Sequence, residues 1–172
     1  MSDFRLTTPV VFIIFNRPDT TQVVFDEIRK AKPLKLLVIA DGPRTERPGE
    51  TEQCILTRAI IDQVDWKCEV LKHYSEANMG CKNRIASGLD WAFSIVEEAI
   101  ILEDDCVPHQ SFFQYCQELL EKYRDDKRIM MISGTNHMVD QYRSQYSYFF
   151  LGTLPFGDGL LGGEPGQLMM LI

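Results

Sequence analysis

Short apolar runs alternate along this chain with stretches whose apolar residues recur at helical spacing. Residues 10–15, Val-Val-Phe-Ile-Ile-Phe, read as a buried strand, broken by Asn16-Arg17-Pro18-Asp19-Thr20. Asp19 or Thr20 can cap a helix running to about Ala31, with Val23, Val24 and Ile28 on one face and Pro33 beyond its end. Residues 36–40 form a second apolar run, closed by Asp41-Gly42-Pro43. The polar stretch 44–50 contains Pro48-Gly49 and reads as a loop. A helix is expected from about 51 to 64, then a short strand over 68–73. Residues 76–80 form a turn, in which Gly80 takes a backbone angle closed to other residues. Helical periodicity follows over 81–96 through Ile85, Leu89, Ala92, Phe93 and Val96.

The sharpest change of character comes next. Ala99-Ile100-Ile101-Leu102 runs straight into Glu103-Asp104-Asp105, followed by Cys106-Val107-Pro108. This pattern reads as a buried strand that stops abruptly, with the acids at its carboxyl end. In an open α/β sheet that edge is where ligands bind. Adjacent carboxyls in a crevice repel one another unless a cation neutralises them, and hard oxygen ligands suit Mg²⁺ or Mn²⁺ shared with phosphates. On the tripeptide alone, an acidic solvated loop is an equal alternative. Residues 112–123 read as a helix with Phe113, Cys116 and Leu120 inward, 129–133 as a fifth strand and 147–150 as a sixth. Strands separated by helices imply an α/β fold, a mainly parallel sheet flanked by helices, spanning residues 1–150 as one domain.

Composition narrows the function classes. The 172 residues carry a net charge of -7 with no basic stripe, so a nucleic-acid backbone is not the expected partner. No apolar run is long enough to span a bilayer, and the start lacks a signal-peptide pattern. The five cysteines are odd in number and form no Cys-x-x-Cys pair, which fits a reducing cytoplasm. His73, His109 and His137 show no ligand spacing; Trp91 is expected in the core.

Several motifs then fall in a telling order: strand-Phe15-Asn16-Arg17-Pro18, a second strand ending in Asp41-Gly42, and Asn78-Met79-Gly80 before a helix bearing Arg84 and Trp91-Ala92. Glu103-Asp104-Asp105 and Pro108-x-x-Ser111-Phe112-Phe113-x-Tyr115 complete the series. Together they resemble the GT-A-fold nucleotide-sugar glycosyltransferases, bacterial family-2-like members included. Residues 99–123 are similar to the metal-binding segment of N-acetylglucosaminyltransferase I. The resemblance implies transfer of a sugar from a nucleoside-diphosphate sugar, a UDP-sugar first, to a glycan or other hydroxyl acceptor in polysaccharide or glycan synthesis. It implies Mn²⁺ or Mg²⁺ on Asp105, Asp104 toward the ribose or a metal-bound water, and Glu103 toward the sugar or neighbouring cations. It further implies Asn16 and Arg17 bordering the nucleotide, Asp41 accepting from the base, Gly42 letting backbone approach the ring, and Arg84 near phosphate. Ser87-Gly88 departs from the basic residues of the similar helix, so the donor sugar does not carry across. Two rivals stand beside this reading: an inactive truncated remnant that at most binds nucleotide, and an aspartate-based phosphotransferase using Asp104 or Asp105. The second lacks a well-placed Lys.

From Leu151 the chain becomes glycine-rich and apolar without either period. Similar transferases continue there with an acceptor-side segment resembling Trp-Gly-Trp-Ala-Thr-Trp-Arg-Arg. A choice among the synonymous codons for Gly157 to Glu164, GGG-GAT-GGG-CTA-CTT-GGC-GGC-GA, would encode that segment when read one base earlier behind a T, so the coding DNA is expected to carry it one frame over. The expectation is an aberrant tail over 151–172, produced by a frameshift near Phe150 and leaving the C-terminal side of the fold incomplete. Asp140 and Asp158 are the later aspartates clear of the helix end, and no catalytic base is assigned.

Overall fold

The computed structural model describes residues 4–126, 128–129 and 131–133, and the backbone of 168–171. Its strands are β1 (Val10–Ile14), β2 (Lys35–Ala40), β3 (Glu69–Tyr74), β4 (Glu98–Glu103), β5 (Met131–Ser133) and β6 (Leu168–Leu171). Its helices are α1 (Pro18–Ala31), α2 (Glu50–Ala59), α3 (Cys81–Phe93) and α4 (Gln110–Tyr123). The sheet order is β3-β2-β1-β4-β6-β5, and each neighbouring pair is parallel. Parallel strands need crossovers, and the amphipathic stretches between the apolar runs supply them as helices. The result is the expected α/β arrangement, a mainly parallel sheet with helices on both faces.

Alternation along each strand divides the core in two. Val10, Phe12 and Ile14 of β1, Leu36 and Val38 of β2, and Ile100 and Leu102 of β4 point to one face. There they meet Val24, Phe25 and Ile28 of α1, Ile60 and Ile61, and Phe113, Cys116 and Leu120 of α4. Val11, Leu37, Ile39, Ala99 and Ile101 point to the other face, where α3 covers them with Ile85, Leu89, Ala92 and Phe93. Burial on both faces explains why these strands read as unbroken apolar runs. Gly88 sets the approach of α3 to the sheet. A Cβ there would stand 2.5 Å from the Ile39 side chain, so the helix sits closer than any larger residue allows.

Several boundaries differ from the sequence reading. Helix α1 begins at Pro18, with Arg17 rather than Asp19 or Thr20 at its N-cap and no side-chain capping bond. Pro at the first turn needs no partner for a missing N–H, so the helix starts without one. The expected helix over 51–64 is α2 followed by a separate 3₁₀ turn, Ile60–Gln63. Helix α3 stops at Phe93, with Ser94 as its C-cap. The expected strand over 147–150 and residues 151–167 lie outside the described residues. Within the stretch read as an aberrant tail, Leu168–Leu171 forms β6, paired with β4 from Glu98–Leu168 to Ile101–Leu171 and with β5 on its other side. That four-residue apolar run has strand length, and the sequence reading overlooked it. Among the described residues, no helix is long and apolar enough to cross a membrane.

Candidate functional site

The chain runs outward from β1 through β2 to β3, then returns to place β4 on the far side of β1. This reversal opens a crevice between the carboxyl ends of β1 and β4, the place where parallel sheets bind ligands. Register puts Ile13 beside Glu103. The next residues on each side are therefore Phe15-Asn16-Arg17 and Asp104-Asp105, and the sequence-predicted acids meet the sequence-predicted arginine.

Arg17 spans two of these acids. Its Nη2 donates to Asp104 Oδ1, and its Nη1 lies 3.0 Å from Asp105 Oδ2. The Phe15 backbone N–H donates to Asp104 Oδ2 at 3.3 Å. The planar guanidinium reaches the two carboxylates with two separate nitrogens of one rigid fork. Asp104 is buried, whereas the side chains of Arg17 and Asp105 remain 50% and 46% exposed. Burial pushes the Asp104 carboxyl above its ordinary range, with Arg17 pulling against the rise. Burial, then the charges of Asp105 and Asp104, raise Glu103 as well. Burial opposes the charge on Arg17, but Asp104 and Asp105 together hold its pKa above the ordinary value. The Cys106 thiol donates to Asp105 Oδ1 at 3.6 Å and is pushed up to about 11 by burial and by that carboxylate. One guanidinium thus bonds two of three consecutive carboxyls, Asp104 and Asp105, and acts on Glu103 only through its charge. Such an edge, with a half-exposed Asp105, fits a hard cation that takes one protein carboxylate and completes its shell with phosphate oxygens and water. It does not form an all-protein cage: among the described residues, no three His, Cys, Asp or Glu side chains converge as one.

A second acidic corner lies at the end of β2. Asp41 is buried and accepts four bonds. Gly42 N–H and Met79 N–H donate to Oδ1 at 2.9 Å, while Asn78 Nδ2 and Gly80 N–H donate to Oδ2 at 3.1 Å. Asn78 Nδ2 also donates to the Gly42 carbonyl at 2.9 Å. Asp41 therefore fastens the turn that opens α3, and a nucleobase would compete with those donors. Gly42 does permit a close approach, but to protein: its Cβ would fall 2.5 Å from the Ala77 carbonyl carbon. Gly80 has φ 78°, as its place in the turn implied, and its N–H is one of the Asp41 donors. Asn16 turns to Glu50, donating from Nδ2 at 3.0 Å. Arg84 is buried and donates to the His73 carbonyl, with Nη2 3.1 Å from His73 Nδ1, while the His73 ring stacks on Trp91 at 4.8 Å. The structure thus brings Arg17, Glu103, Asp104 and Asp105 together. Asn16, Asp41, Gly42 and Arg84 are engaged in bonds within the protein.

Three residues that shape this edge were missed from the sequence. Glu50 is buried in the first turn of α2 and takes Arg44 through both its side chain and its backbone N–H, the latter at 2.7 Å. Those bonds hold the Glu50 carboxyl down to about 2. The Arg44 guanidinium in turn lies over the Phe15 ring at 5.5 Å. Arg58, from α2, donates to the carbonyls of Asp41 at 3.0 Å and Ser75 at 2.7 Å, closing the ends of β2 and β3. The one available signal was Glu50 just after Pro48-Gly49, an acid at a helix start.

No family model, curated protein or solved structure gave a significant match to this chain.

Proposed function

We propose that this chain carries the donor half of a GT-A-fold glycosyltransferase, moving a sugar from a nucleoside-diphosphate sugar to a hydroxyl acceptor with a divalent metal. The observation that carries this reading is the cluster of Arg17, Glu103, Asp104 and Asp105 in the crevice between β1 and β4. The order of the sequence motifs supports it independently. In this reading the Arg17 guanidinium binds the diphosphate, Asp105 offers one carboxylate oxygen to Mn²⁺ or Mg²⁺, and Glu103 faces the sugar. Asp104 is the fixed anchor that sets the reach of Arg17. Bound metal would offset the charge that develops on the leaving diphosphate. A base that deprotonates the acceptor hydroxyl is required in an inverting transfer, and Asp140 and Asp158, the later aspartates considered for it, lie outside the described residues. The cysteine pattern supports a cytoplasmic setting.

The test is thermal stability with UDP, GDP, CDP and dTDP, each with and without Mn²⁺. A ligand bound only by the folded chain raises the midpoint, by about 2.7 kcal/mol of stability at a hundredfold excess over Kd. The expected result is a rise that requires both one nucleotide and the metal and is lost in Asp105→Ala. No rise from a folded sample makes the acids a vestige and favours the degraded-remnant reading.

A further inference from the structure

The pairing of Arg17 with Asp105 bears on how a cation would enter. We infer that Arg17 is a latch on the cation site: it occupies the Asp105 carboxylate and must release it before a divalent ion binds there. This inference rests on the functional reading above and goes beyond it, because it assigns the order in which charges meet at the site.

The geometry has three parts. Arg17 holds Asp104 with Nη2 and Asp105 with Nη1, at 3.0 Å for the latter. The two contacts are unequal: Asp104 is buried and also held by the Phe15 N–H, whereas Asp105 is half exposed and, among the described residues, receives besides Arg17 only the weak donor of the neighbouring Cys106 thiol. The Asp104 contact is therefore the pivot, and the Asp105 contact is the one that opens. A bare cation approaching Asp105 meets a positive guanidinium already in place. A diphosphate oxygen offers the Nη1 arm of Arg17 a charged partner instead, which frees Asp105 at the moment the metal arrives. Metal and diphosphate thus enter as a pair, and the site discriminates against free metal.

The protein's own residues test this with Mn²⁺ alone, its free concentration followed by electron paramagnetic resonance. Arg17→Lys keeps a positive charge beside Asp104 but has one nitrogen on a shorter side chain in place of the two that hold Asp104 and Asp105, which weakens the hold on Asp105. Arg17→Gln unlatches it by removing the charge. The expected result is weak Mn²⁺ binding by the natural chain and about three- to fivefold tighter binding by Arg17→Lys, the scale of one exposed ion pair. That gain disappears when Asp105→Asn is added. If neither Arg17 variant binds Mn²⁺ more tightly while the natural chain still shows metal-dependent nucleotide stabilisation, the latch is wrong and the functional reading stands. If the natural chain shows no such stabilisation and no variant binds Mn²⁺, the functional reading fails and the latch falls with it.

Discussion

Two acidic corners stand a strand apart on the same edge of the sheet. At the end of β2, Asp41 meets four donors fixed by the backbone and Asn78, and nearby Glu50 meets Arg44 and Asn16. At the carboxyl ends of β1 and β4, Asp104 and Asp105 share one half-exposed guanidinium with Glu103 beside them, and burial raises Glu103 and Asp104. Buried charge that is fully bonded stabilises a fold or at least fixes one geometry, whereas charge left short of partners costs free energy that a ligand can recover. The first corner has the character of scaffolding, and the second is the one the proposed function uses for binding. Their difference in stability on mutation is the way to break the comparison.

The largest effect is expected at Asp41. Asp41→Ala leaves the N–H groups of Gly42, Met79 and Gly80 without this acceptor and the Asn78 amide with the Gly42 carbonyl alone, and it loosens the start of α3. A loss of about 3 kcal/mol is expected, measured by urea unfolding. A loss below about 0.5 kcal/mol, the range of ordinary surface changes, would mean that the turn is held elsewhere and the corner is not scaffolding.

Glu50 gives a smaller effect with a pH signature. Its carboxyl stands at about 2 in the folded chain against an ordinary 4.5. The unfolded chain therefore binds the extra proton first, so stability from this group is present above about pH 4.5 and is lost as pH falls toward 2. Glu50→Gln should lower stability near neutrality by about 2 kcal/mol and flatten the acid limb of the stability curve between those values. An unchanged slope in that window would show that the Arg44 pairing does not persist in solution.

Legibility from sequence divides along the same line. The strands β1, β2 and β4 were readable because burial on both faces makes each a continuous apolar run. Their closing residues named the edge. The meeting of Arg17 with the acids followed from the order of elements once β4 lies beside β1. Hydrogen-bond saturation was not readable: three of the four donors to Asp41 come from a turn 37 to 39 residues later in sequence, so nothing near Asp41 in the chain announces them. Arg84 looked available for phosphate because nothing in helical periodicity shows that its guanidinium turns to the carbonyl of β3. Glu50 was hidden because the stretch over 44–50 read as a polar loop. Strand β6 was missed because glycine-rich sequence before it carried no period.

The sharpest use of the comparison is the smallest stability change, at Asp105. Its pair with Arg17 is half exposed, and pairs of that kind contribute about 0 to 1 kcal/mol. Against that stands repulsion, since the Asp105 charge helps raise Glu103. The two effects oppose, so Asp105→Asn should change stability by no more than about 0.5 kcal/mol in either direction. At the same time the Glu103 carboxyl should titrate lower, visible by carboxyl-carbon NMR, because one of its raising charges is gone. The midpoint rise from nucleotide with Mn²⁺ should vanish. A neutral change in stability together with loss of ligand response is the mark of a residue kept for binding. A loss comparable to that of Asp41→Ala would instead make Asp105 part of the scaffold, and the two corners would be one kind of structure.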